Sequence, residues 1–356
     1  MMGSDAMLTV ENLRTQFATP AGGLTAVDGV TFTLERGRAL GVVGESGSGK
    51  SVMSRSIMRL LPKANVQSTG SVDFNGTDMM TLSSKELRNM WGPEVSMVFQ
   101  DPLGSLNPVM TIGRQVGEGL RVHLGMSKKE ARATALELLR SVGIPEPERR
   151  LDEYPHQLSG GMRQRIVIAI ALACGPKLLI ADEPTTALDV TVQAQILDLL
   201  QQQRTDRDMS LILITHDLGV VAGRTDEIIV MYAGRIVERA PTKVLFSDMR
   251  HPYTEALLMS IPKIEYQSHT KLNIIPGSPP DMINPPKGCK FAARCKYATA
   301  ECEESEPQLT EGAAPGHQFR CFHPVGSDSA AEALERNIAS GRVSETGVLI
   351  SDADGG

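Results

Sequence analysis

Short apolar runs rich in β-branched residues alternate with longer stretches of helical spacing between Leu8 and Glu238. This alternation is typical of α/β architecture, because a buried strand needs a short apolar run, whereas an amphipathic helix repeats its apolar positions every three or four residues. Leu8–Phe17 and Thr25–Leu34 are predicted to open the chain as an antiparallel pair. The later runs predicted to be mostly core strands are Ala39–Val43, Val95–Phe99, Leu178–Ala181, Leu211–Thr215 and Glu227–Tyr232.

A helical insert is predicted between these strands. Residues 111–150 have a helical pattern, and Ala131–Val142 places apolar side chains at helix spacing before Gly143, a typical helix stop. We therefore expect a helical subdomain at about residues 101–174. Ala233 and Gly234 follow the last core strand and predict a tight turn, so we expect a hairpin at that end of the sheet.

The composition changes beyond Ala240. Four of the five cysteines lie in this part of the chain, together with a dense group of prolines: Pro276, Pro279, Pro280, Pro285 and Pro286. Residues 241–325 are therefore predicted to be an appendage and not more sheet. Small and acidic residues dominate residues 326–356, so this tail is predicted to be mostly disordered, apart from a short helix around Ala330–Ile338.

Composition and charge disfavour several classes of protein. Apolar residues make up 41% of the chain and charged residues 22%, which is typical of a soluble globular protein. The longest apolar run, Ile166–Cys174, is far shorter than the roughly 20 residues of a membrane-spanning helix, and we recognise no secretory signal. A net charge of −6 argues against nucleic-acid binding. Cysteines in such a chain indicate thiols or metal ligands rather than disulfides.

The candidate chemistry begins with a glycine-rich loop between a predicted strand and a predicted helix. Glycines let backbone amides face phosphates, and the helix N-terminus adds positive potential, so this setting predicts a phosphate-binding loop. Lys50 is expected to reach the β and γ phosphates, and Ser51 to offer a hydroxyl to Mg²⁺. The predicted loop consists of Gly44, Glu45, Ser46, Gly47, Ser48, Gly49, Lys50 and Ser51.

Two further motifs indicate phosphate chemistry. Asp182 and Glu183 end an apolar strand, so Asp182 is expected to hold Mg²⁺ through water and Glu183 to polarise an attacking water. By themselves two such acids are often only a solvated strand edge. Ser159, Gly160 and Gly161 precede a long predicted helix, whose N-terminus can bind a second anion, although an ordinary Ser N-cap explains this motif equally well.

The ordered motifs between about Phe17 and His216 resemble those of the ABC ATPase family. This resemblance implies that two subunits pack head to tail, with the phosphate loop and acidic pair of one subunit facing residues 159–161 of the other across a shared ATP. It also implies that Gln100 contacts Mg²⁺ and senses the membrane partner. Asp189 matches the loop that crosses the dimer interface.

Two more residues receive roles from this resemblance. His216 matches the histidine that contacts the γ phosphate, although a lone histidine after a strand is more often a loop residue. Phe17 occupies the place of the aromatic residue that stacks on adenine, and a buried core phenylalanine is its rival interpretation.

The C-terminal third of the sequence indicates a particular group within this family. The run from His251 to Thr254, the segment Ile274–Pro280 and the cysteine-containing run from Gly288 resemble the oligopeptide and dipeptide permease ATPases. That group also includes nickel and glutathione importers. With this element the resemblance covers nearly everything from Leu8 to Pro324.

Cys289, Cys295, Cys302 and Cys321 form a candidate metal site, with gaps of five, six and eighteen residues. Four thiolates can hold either Zn²⁺ or an iron–sulfur cluster. Structural zinc usually has ligand pairs only two to four residues apart, so the wider gaps favour iron. The resemblance favours the same answer, because some peptide permease ATPases have a 4Fe-4S cluster in this region.

The chain is therefore interpreted as an α/β phosphate-loop ATPase of the ABC fold at residues 7–240. Its predicted parts are a mixed-sheet core, an antiparallel β subdomain and a helical subdomain. The cysteine-rich appendage follows and is expected to be a regulatory or iron–sulfur element of the oligopeptide permease type.

The resemblance implies a subunit that binds ATP and Mg²⁺ and hydrolyses ATP to drive import of di- or oligopeptides. The expected partners are a second ATPase subunit, with a heterodimer favoured over a homodimer, two transmembrane permease subunits and an extracytoplasmic solute-binding protein. The expected location is peripheral, on the cytoplasmic face of the inner membrane. Import of nickel, glutathione or another small solute is the first alternative. A soluble ABC protein acting on nucleic acid or the ribosome is the second, disfavoured by the single cassette and the acidic charge.

Overall fold

The computed structural model of the protein describes residues 6–186, 188–261 and 275–350. Within these ranges the strands are β1 (Ala6–Thr19), β2 (Gly22–Glu35), β3 (Ala39–Val43), β4 (Val66–Phe74), β5 (Thr77–Asp78), β6 (Val95–Val98), β7 (Leu178–Asp182), β8 (Ser210–Thr215), β9 (Glu227–Tyr232), β10 (Arg235–Pro241), β11 (Thr310–Glu311) and β12 (Gln318–Phe319). The helices are α1 (Lys50–Ile57), α2 (Ser84–Met90), α3 (Pro102–Ser105), α4 (Ile112–His123), α5 (Lys128–Ser141), α6 (Pro147–Arg150), α7 (Gly160–Leu172), α8 (Val190–Arg207), α9 (Leu218–Val221), α10 (Thr242–Ser247), α11 (Pro252–Met259), α12 (Ala300–Glu304) and α13 (Asp328–Ala339).

A mixed sheet forms the centre of the fold, with the strand order β11-β12-β10-β9-β3-β8-β7-β6. Strands β9, β3, β8, β7 and β6 are parallel, and β10, β12 and β11 continue one edge in antiparallel pairing. Every side chain of β3 is buried, because Leu40 packs into one hydrophobic core and Val43 into another on the opposite face. Coverage of both faces explains why the core strands are continuous apolar runs, as predicted.

A second, antiparallel sheet has the strand order β2-β1-β4-β5. The predicted opening pair is confirmed, since β1 pairs with β2 along most of its length. Strand β4 was not predicted, because its first half is polar and only Val72 and Phe74 are buried. These two side chains join the core that also contains residues of α1 and of the central sheet. The small sheet therefore lies against the central one around α1.

The helical insert is confirmed, with α4 packed against α5 and α7. Ser127 begins α5 with a capping box, in which its hydroxyl accepts from the Glu130 N–H and the Glu130 carboxylate accepts from the Ser127 N–H. At the other end Gly143 has a φ of 72°, and the Ile144 N–H donates back to the Leu139 carbonyl. Gly143 is therefore the helix stop that the sequence predicted.

The predicted hairpin is also confirmed. Ala233 and Gly234 connect β9 to β10, and both have positive φ, 45° and 81°. Two such residues are what a tight hairpin turn requires.

The predicted appendage is more closely joined to the central sheet than its composition indicated. Strand β12 pairs with Glu238 and Arg239 of β10, so part of residues 241–325 does extend the sheet. Tyr253 and Phe291 also pack on Tyr232 of β9, with ring centroids 4.6 and 5.2 Å from that ring. Two-residue strands are too short to show periodicity, which is why the sequence pattern missed them.

The structure also differs from the prediction of a mostly disordered tail. Residues 328–339 form α13, which contains the predicted short helix and begins at the N-cap Ser327. Ala330 and Ala333 are buried, and the Asn337 amide donates to the carbonyls of Lys296 and Ala298. The alanine side chains of this segment are small, so they produce only a weak hydrophobic pattern in the sequence. The same small size lets the helix approach its neighbour closely. Residues 351–356 lie outside the described ranges.

Candidate functional site

The phosphate loop lies between β3 and α1, as predicted. Gly49 has a φ of 101°, and a Cβ atom at this position would lie 2.3 Å from the Ala26 carbonyl oxygen. Gly44 is equally confined, because its Cβ would lie 2.2 Å from the Met231 carbonyl oxygen. The Gly234 N–H donates to the Ser48 carbonyl at 2.9 Å. The loop is therefore held against the β9–β10 turn, and two of its glycines are sterically required.

Lys50 is the first residue of α1 and only 4% exposed. Its Nζ atom donates to the carbonyl oxygens of Gly44, at 2.6 Å, and Glu45, at 2.9 Å. Burial lowers the pKa of Lys50, and the negative charges of Glu183 and Asp182 oppose that shift. The Lys50 ammonium group is thus held over the loop, where it can meet a phosphate, and the two nearby carboxylates favour its charged form.

Ser51 and Asp182 form a second part of the site. The Ser51 hydroxyl donates to Asp182 Oδ1 at 2.9 Å, and Asp182 has no exposed surface. The second carboxylate oxygen, Oδ2, is buried without a hydrogen-bond partner among the described residues. Burial raises the pKa of Asp182. A free carboxylate oxygen beside a hydroxyl is an oxygen donor set that suits Mg²⁺.

The Glu183 side chain lies where residues that follow three neighbouring parallel strands come together. It follows β7, its N–H donates to the Ile214 carbonyl of β8, and its φ is 46°, an unusual value for a residue other than glycine. Its Oε2 atom accepts from Gln100 Nε2, after β6, at 3.1 Å and lies 3.3 Å from Nδ1 of His216, after β8. The three predicted residues therefore converge at the carboxyl ends of β6, β7 and β8.

Sequence reasoning missed Thr186, whose hydroxyl donates to the same Glu183 oxygen at 2.9 Å. It also missed the two C-terminal residues that hold Glu45: Arg294 pairs with its carboxylate, and the Tyr253 hydroxyl accepts from its N–H at 2.7 Å. Thr186 lies only three residues after Glu183, a spacing that could have indicated it. For the other two, more than 200 residues from Glu45, no local signal exists.

Ser159 begins α7 as a typical N-cap, its hydroxyl accepting from the Met162 N–H at 3.3 Å. Ser159 and Gly160 are exposed, and a Cβ atom on Gly161 would lie 3.0 Å from Val192 on α8. Asp189 is the exposed N-cap of α8, accepting from the Val192 N–H at 2.9 Å. The structure thus places the two motifs side by side, with α7 and α8 beginning at neighbouring points of the surface.

Phe17 lies near the end of β1, opposite Leu24 of β2 and Val66 of β4. Its side chain is half-buried. This partial exposure differs from the rival interpretation of a buried core phenylalanine.

The four C-terminal cysteines line one small cavity together with His323. Burial raises the pKa of Cys289 to about 11 and that of Cys321 to about 12. Cys295 is shifted in the same direction for the same reason. Within residues 6–186, 188–261 and 275–350, no group of three or more His, Cys, Asp or Glu side chains is arranged to hold a metal ion. The predicted iron–sulfur or zinc site is therefore not confirmed, although the structure brings the four thiols together around one cavity.

None of the helices in the described part of the chain combines the length and apolar character needed to cross a membrane.

Two family models match the chain. The model of the ABC transporter family matches residues 27–186, and that of the oligopeptide/dipeptide transporter C-terminal region matches residues 237–302. The first range includes the phosphate loop and the acidic pair. The second includes three of the four C-terminal cysteines.

Curated relatives match over most of their length. The oligopeptide transport ATP-binding protein OppD of Bacillus subtilis is 52% identical over 304 residues, 85% of this chain and 85% of the relative. The dipeptide transport ATP-binding protein DppD of Escherichia coli is 48% identical over 320 residues, 90% of this chain and 97% of the relative. A putative peptide import ATP-binding protein of Brucella abortus is 53% identical over 310 residues, 86% and 93% of the two chains.

Solved structures agree with the fold. The dimeric structure of MJ0796, described as a bacterial ABC transporter cassette, has a TM-score of 0.60 and 29% identity, covering 66% of this chain and 99% of that one. The same cassette in a post-hydrolysis state bound to ADP and phosphate has a TM-score of 0.58 and 28% identity, with coverages of 66% and 99%. By its motifs, its fold and these relatives, the chain belongs to the ABC transporter ATPases and, within them, to the group that has the oligopeptide/dipeptide transporter C-terminal region.

Proposed function

We propose that this chain is the ATP-hydrolysing subunit of an importer of di- and oligopeptides. Relatives named for oligopeptide and dipeptide transport match 85% and 90% of the chain. The observation that best supports hydrolysis is the Glu183 carboxylate, held by Gln100 and Thr186 beside His216. A carboxylate fixed at the mouth of a phosphate loop is suited to polarise water for attack on a phosphoryl group.

Lys50 and the amides of the phosphate loop would bind the β and γ phosphates of ATP. Ser51, Asp182 and Gln100 would hold Mg²⁺, which neutralises charge on the phosphate oxygens. The unpartnered, buried Oδ2 atom of Asp182 beside the Ser51 hydroxyl supports this assignment. The half-buried Phe17 would offer its ring to the adenine base.

Glu183 would act on the attacking water. Its strained backbone and its hydrogen bonds fix the carboxylate before the substrate arrives, so little reorganisation is needed in the reaction. His216 is 61% exposed at the side chain, which leaves its ring free to reach the γ phosphate. Gln100 would link this centre to the membrane subunits, because it follows β6 at the start of the helical insert.

A second ATPase subunit would complete the site. The exposed residues Ser159, Gly160 and Asp189 lie together with Gly161 at the starts of α7 and α8, where they can face the phosphate loop of a partner. We favour a related, non-identical partner. Two transmembrane permease subunits and an extracytoplasmic solute-binding protein would complete the importer, with this chain bound peripherally at the cytoplasmic face of the inner membrane.

We propose further that the four C-terminal cysteines bind a 4Fe-4S cluster, with Zn²⁺ as the alternative. Four thiols around one cavity are the donor set that such a cluster uses, and assembly would have to displace the thiol protons. The test is to purify the full chain without oxygen and measure iron, acid-labile sulfide and zinc. Near-equal iron and sulfide in a brown protein are expected. A colourless preparation containing zinc would refute the cluster.

The proposed transport function is tested by co-purifying the chain with its membrane partners and reconstituting the complex in liposomes. We expect ATP hydrolysis to be stimulated by di- or oligopeptide delivered with the binding protein, and the peptide to accumulate inside. The matched control is the same complex with Glu183→Gln, which should do neither. If nickel or glutathione stimulates hydrolysis and peptide does not, the transported solute is that compound and not a peptide. Co-purification with RNA or ribosomes and not with membrane subunits would refute transport.

A further inference from the structure

Glu45 of the phosphate loop forms an ion pair with a residue far away in the sequence, Arg294. Arg294 lies in the short 3₁₀ turn Ala292–Arg294, one position before Cys295. Its Nη1 atom donates to Glu45 Oε2 at 2.7 Å and its Nη2 atom to Glu45 Oε1 at 2.9 Å. The Arg294 side chain is 4% exposed and that of Glu45 28%. This is a two-pronged ion pair, the strongest geometry that arginine and a carboxylate can adopt.

The guanidinium itself is held on every side. Its Nε atom donates to the Pro276 carbonyl at 2.8 Å and its Nη2 atom also to the Ile275 carbonyl at 3.2 Å. The group lies 5.8 Å from the ring centroid of Tyr232 and 6.0 Å from that of Phe291. Because these contacts leave arginine little freedom, they also determine where the Glu45 carboxylate lies.

Tyr253 holds the backbone of the same loop residue. Its hydroxyl accepts from the Glu45 N–H at 2.7 Å, and its ring is fully buried against Tyr232 and Phe291. The Glu45 carbonyl in turn accepts from Lys50 Nζ. The side chain, the amide and the carbonyl of Glu45 are therefore all occupied, two of them by residues of the C-terminal region.

A neighbouring lysine supports the other end of the loop. Lys290 donates to the Ala233 carbonyl at 2.9 Å and pairs with Asp28 at 3.3 Å. Ala233 precedes Gly234, whose N–H donates to the Ser48 carbonyl. The segment between Cys289 and Cys295 therefore supports both ends of the phosphate loop.

We infer that Arg294 is a positioning residue for ATP binding, acting through Glu45 to fix the first turn of the phosphate loop and to neutralise a carboxylate beside the triphosphate. Without the guanidinium, Glu45 keeps its negative charge close to where ATP phosphates bind, and the loop loses one of its anchors. ATP affinity thereby depends on the C-terminal region. This inference rests on the ATPase activity and not on the identity of the transported solute.

The test compares ATP binding by the full-length wild-type chain and its variants, using calorimetry with ATP and Mg²⁺, with thermal unfolding measured in parallel. Arg294→Gln should weaken ATP binding roughly tenfold, since a hydrogen-bonded charge pair is lost. Arg294→Lys should weaken ATP binding less, because lysine keeps the positive charge but cannot make the two parallel hydrogen bonds of the guanidinium group. The double variant Arg294→Gln/Glu45→Gln should bind ATP more tightly than Arg294→Gln alone, because the unpaired carboxylate is gone.

Lys296→Gln is the matched control. Lys296 lies two positions after Arg294 and pairs with Glu255 at 3.2 Å, a residue of α11 outside the phosphate loop. This variant should retain wild-type ATP affinity. In the assembled transporter Arg294→Gln should raise KM for ATP by more than it lowers kcat.

Unchanged ATP affinity in Arg294→Gln would overturn the inference, and so would an equal loss in Lys296→Gln, which would indicate general damage to the segment. If Arg294→Gln does not fold, the Arg294→Lys variant decides: wild-type affinity overturns the inference and weakened affinity supports it. Because binding is measured on the isolated chain, this result is independent of whether the solute is a peptide.

Discussion

Replacing Glu183 by Gln removes one negative charge and a proton acceptor while keeping nearly the same shape. The amide oxygen of a glutamine can still accept from the Thr186 hydroxyl, and the backbone N–H can still donate to Ile214. The variant therefore isolates the chemical role of the carboxylate. The phosphate loop, Lys50 and the Ser51–Asp182 pair remain unchanged.

General-base catalysis contributes roughly 10²–10⁴-fold to a rate, which corresponds to about 2.7–5.4 kcal/mol of transition-state stabilisation. We expect the upper part of this range, because the Glu183 carboxylate is contacted by residues that follow three neighbouring strands and only 12% of its side chain is exposed. ATP affinity should not fall, since one negative charge near the triphosphate is lost. Dimers of ATPase subunits should accumulate in the closed, ATP-bound state.

The assay is phosphate release by the transporter reconstituted in liposomes, with ATP retention by the purified complex as a second measurement. The matched control is Glu94→Gln, which removes a carboxylate paired with Lys177 at the surface, 2.9 Å away, and should hydrolyse ATP at the wild-type rate. Hydrolysis by Glu183→Gln at more than about a tenth of the wild-type rate would refute the assignment of Glu183 as the group that polarises water.

Three further predictions concern other parts of the chain. Ser159→Arg should leave ATP binding by the isolated chain intact and block ATP-dependent dimer closure, measured by gel filtration; loss of binding by the monomer would show that the motif acts within one chain. Burial lowers the pKa of His251 from 6.5 to about 4 against the opposing charge of Glu238. The unfolded chain therefore binds more protons between these values, and stability should fall as the pH is lowered through this window, by at most about 1.4 kcal/mol per pH unit. His251→Asn should flatten this dependence in urea titrations, and an unchanged slope would contradict it. Cys295→Ser should bleach the anaerobically purified protein, and a variant that retains its colour would exclude Cys295 as a ligand.

The sequence was informative wherever function depends on a short run of neighbouring residues. The phosphate loop, the acidic pair at the end of β7 and the Ser159 cap of α7 were all predicted at the positions where the structure places them. Each needs only a strand, a loop and a helix in succession, and local residue types specify those. The roles of Gln100 and His216 came from the family resemblance and not from local residue types. The structure brings both residues to Glu183 because the carboxyl ends of neighbouring parallel strands meet at one edge.

The sequence by itself determined the α/β class, the order of the core strands along the chain and the identity of the phosphate site. Tertiary structure alone decided how the C-terminal region is attached: a two-residue strand extends the sheet, Asn337 joins the predicted helix α13 to its neighbours, and Arg294 and Tyr253 hold Glu45. The physical reason is the separation along the sequence over which each kind of signal acts. Periodicity and turn chemistry act between residues a few positions apart, whereas a contact between residues about 250 positions apart exists only once packing has brought both segments to the same place.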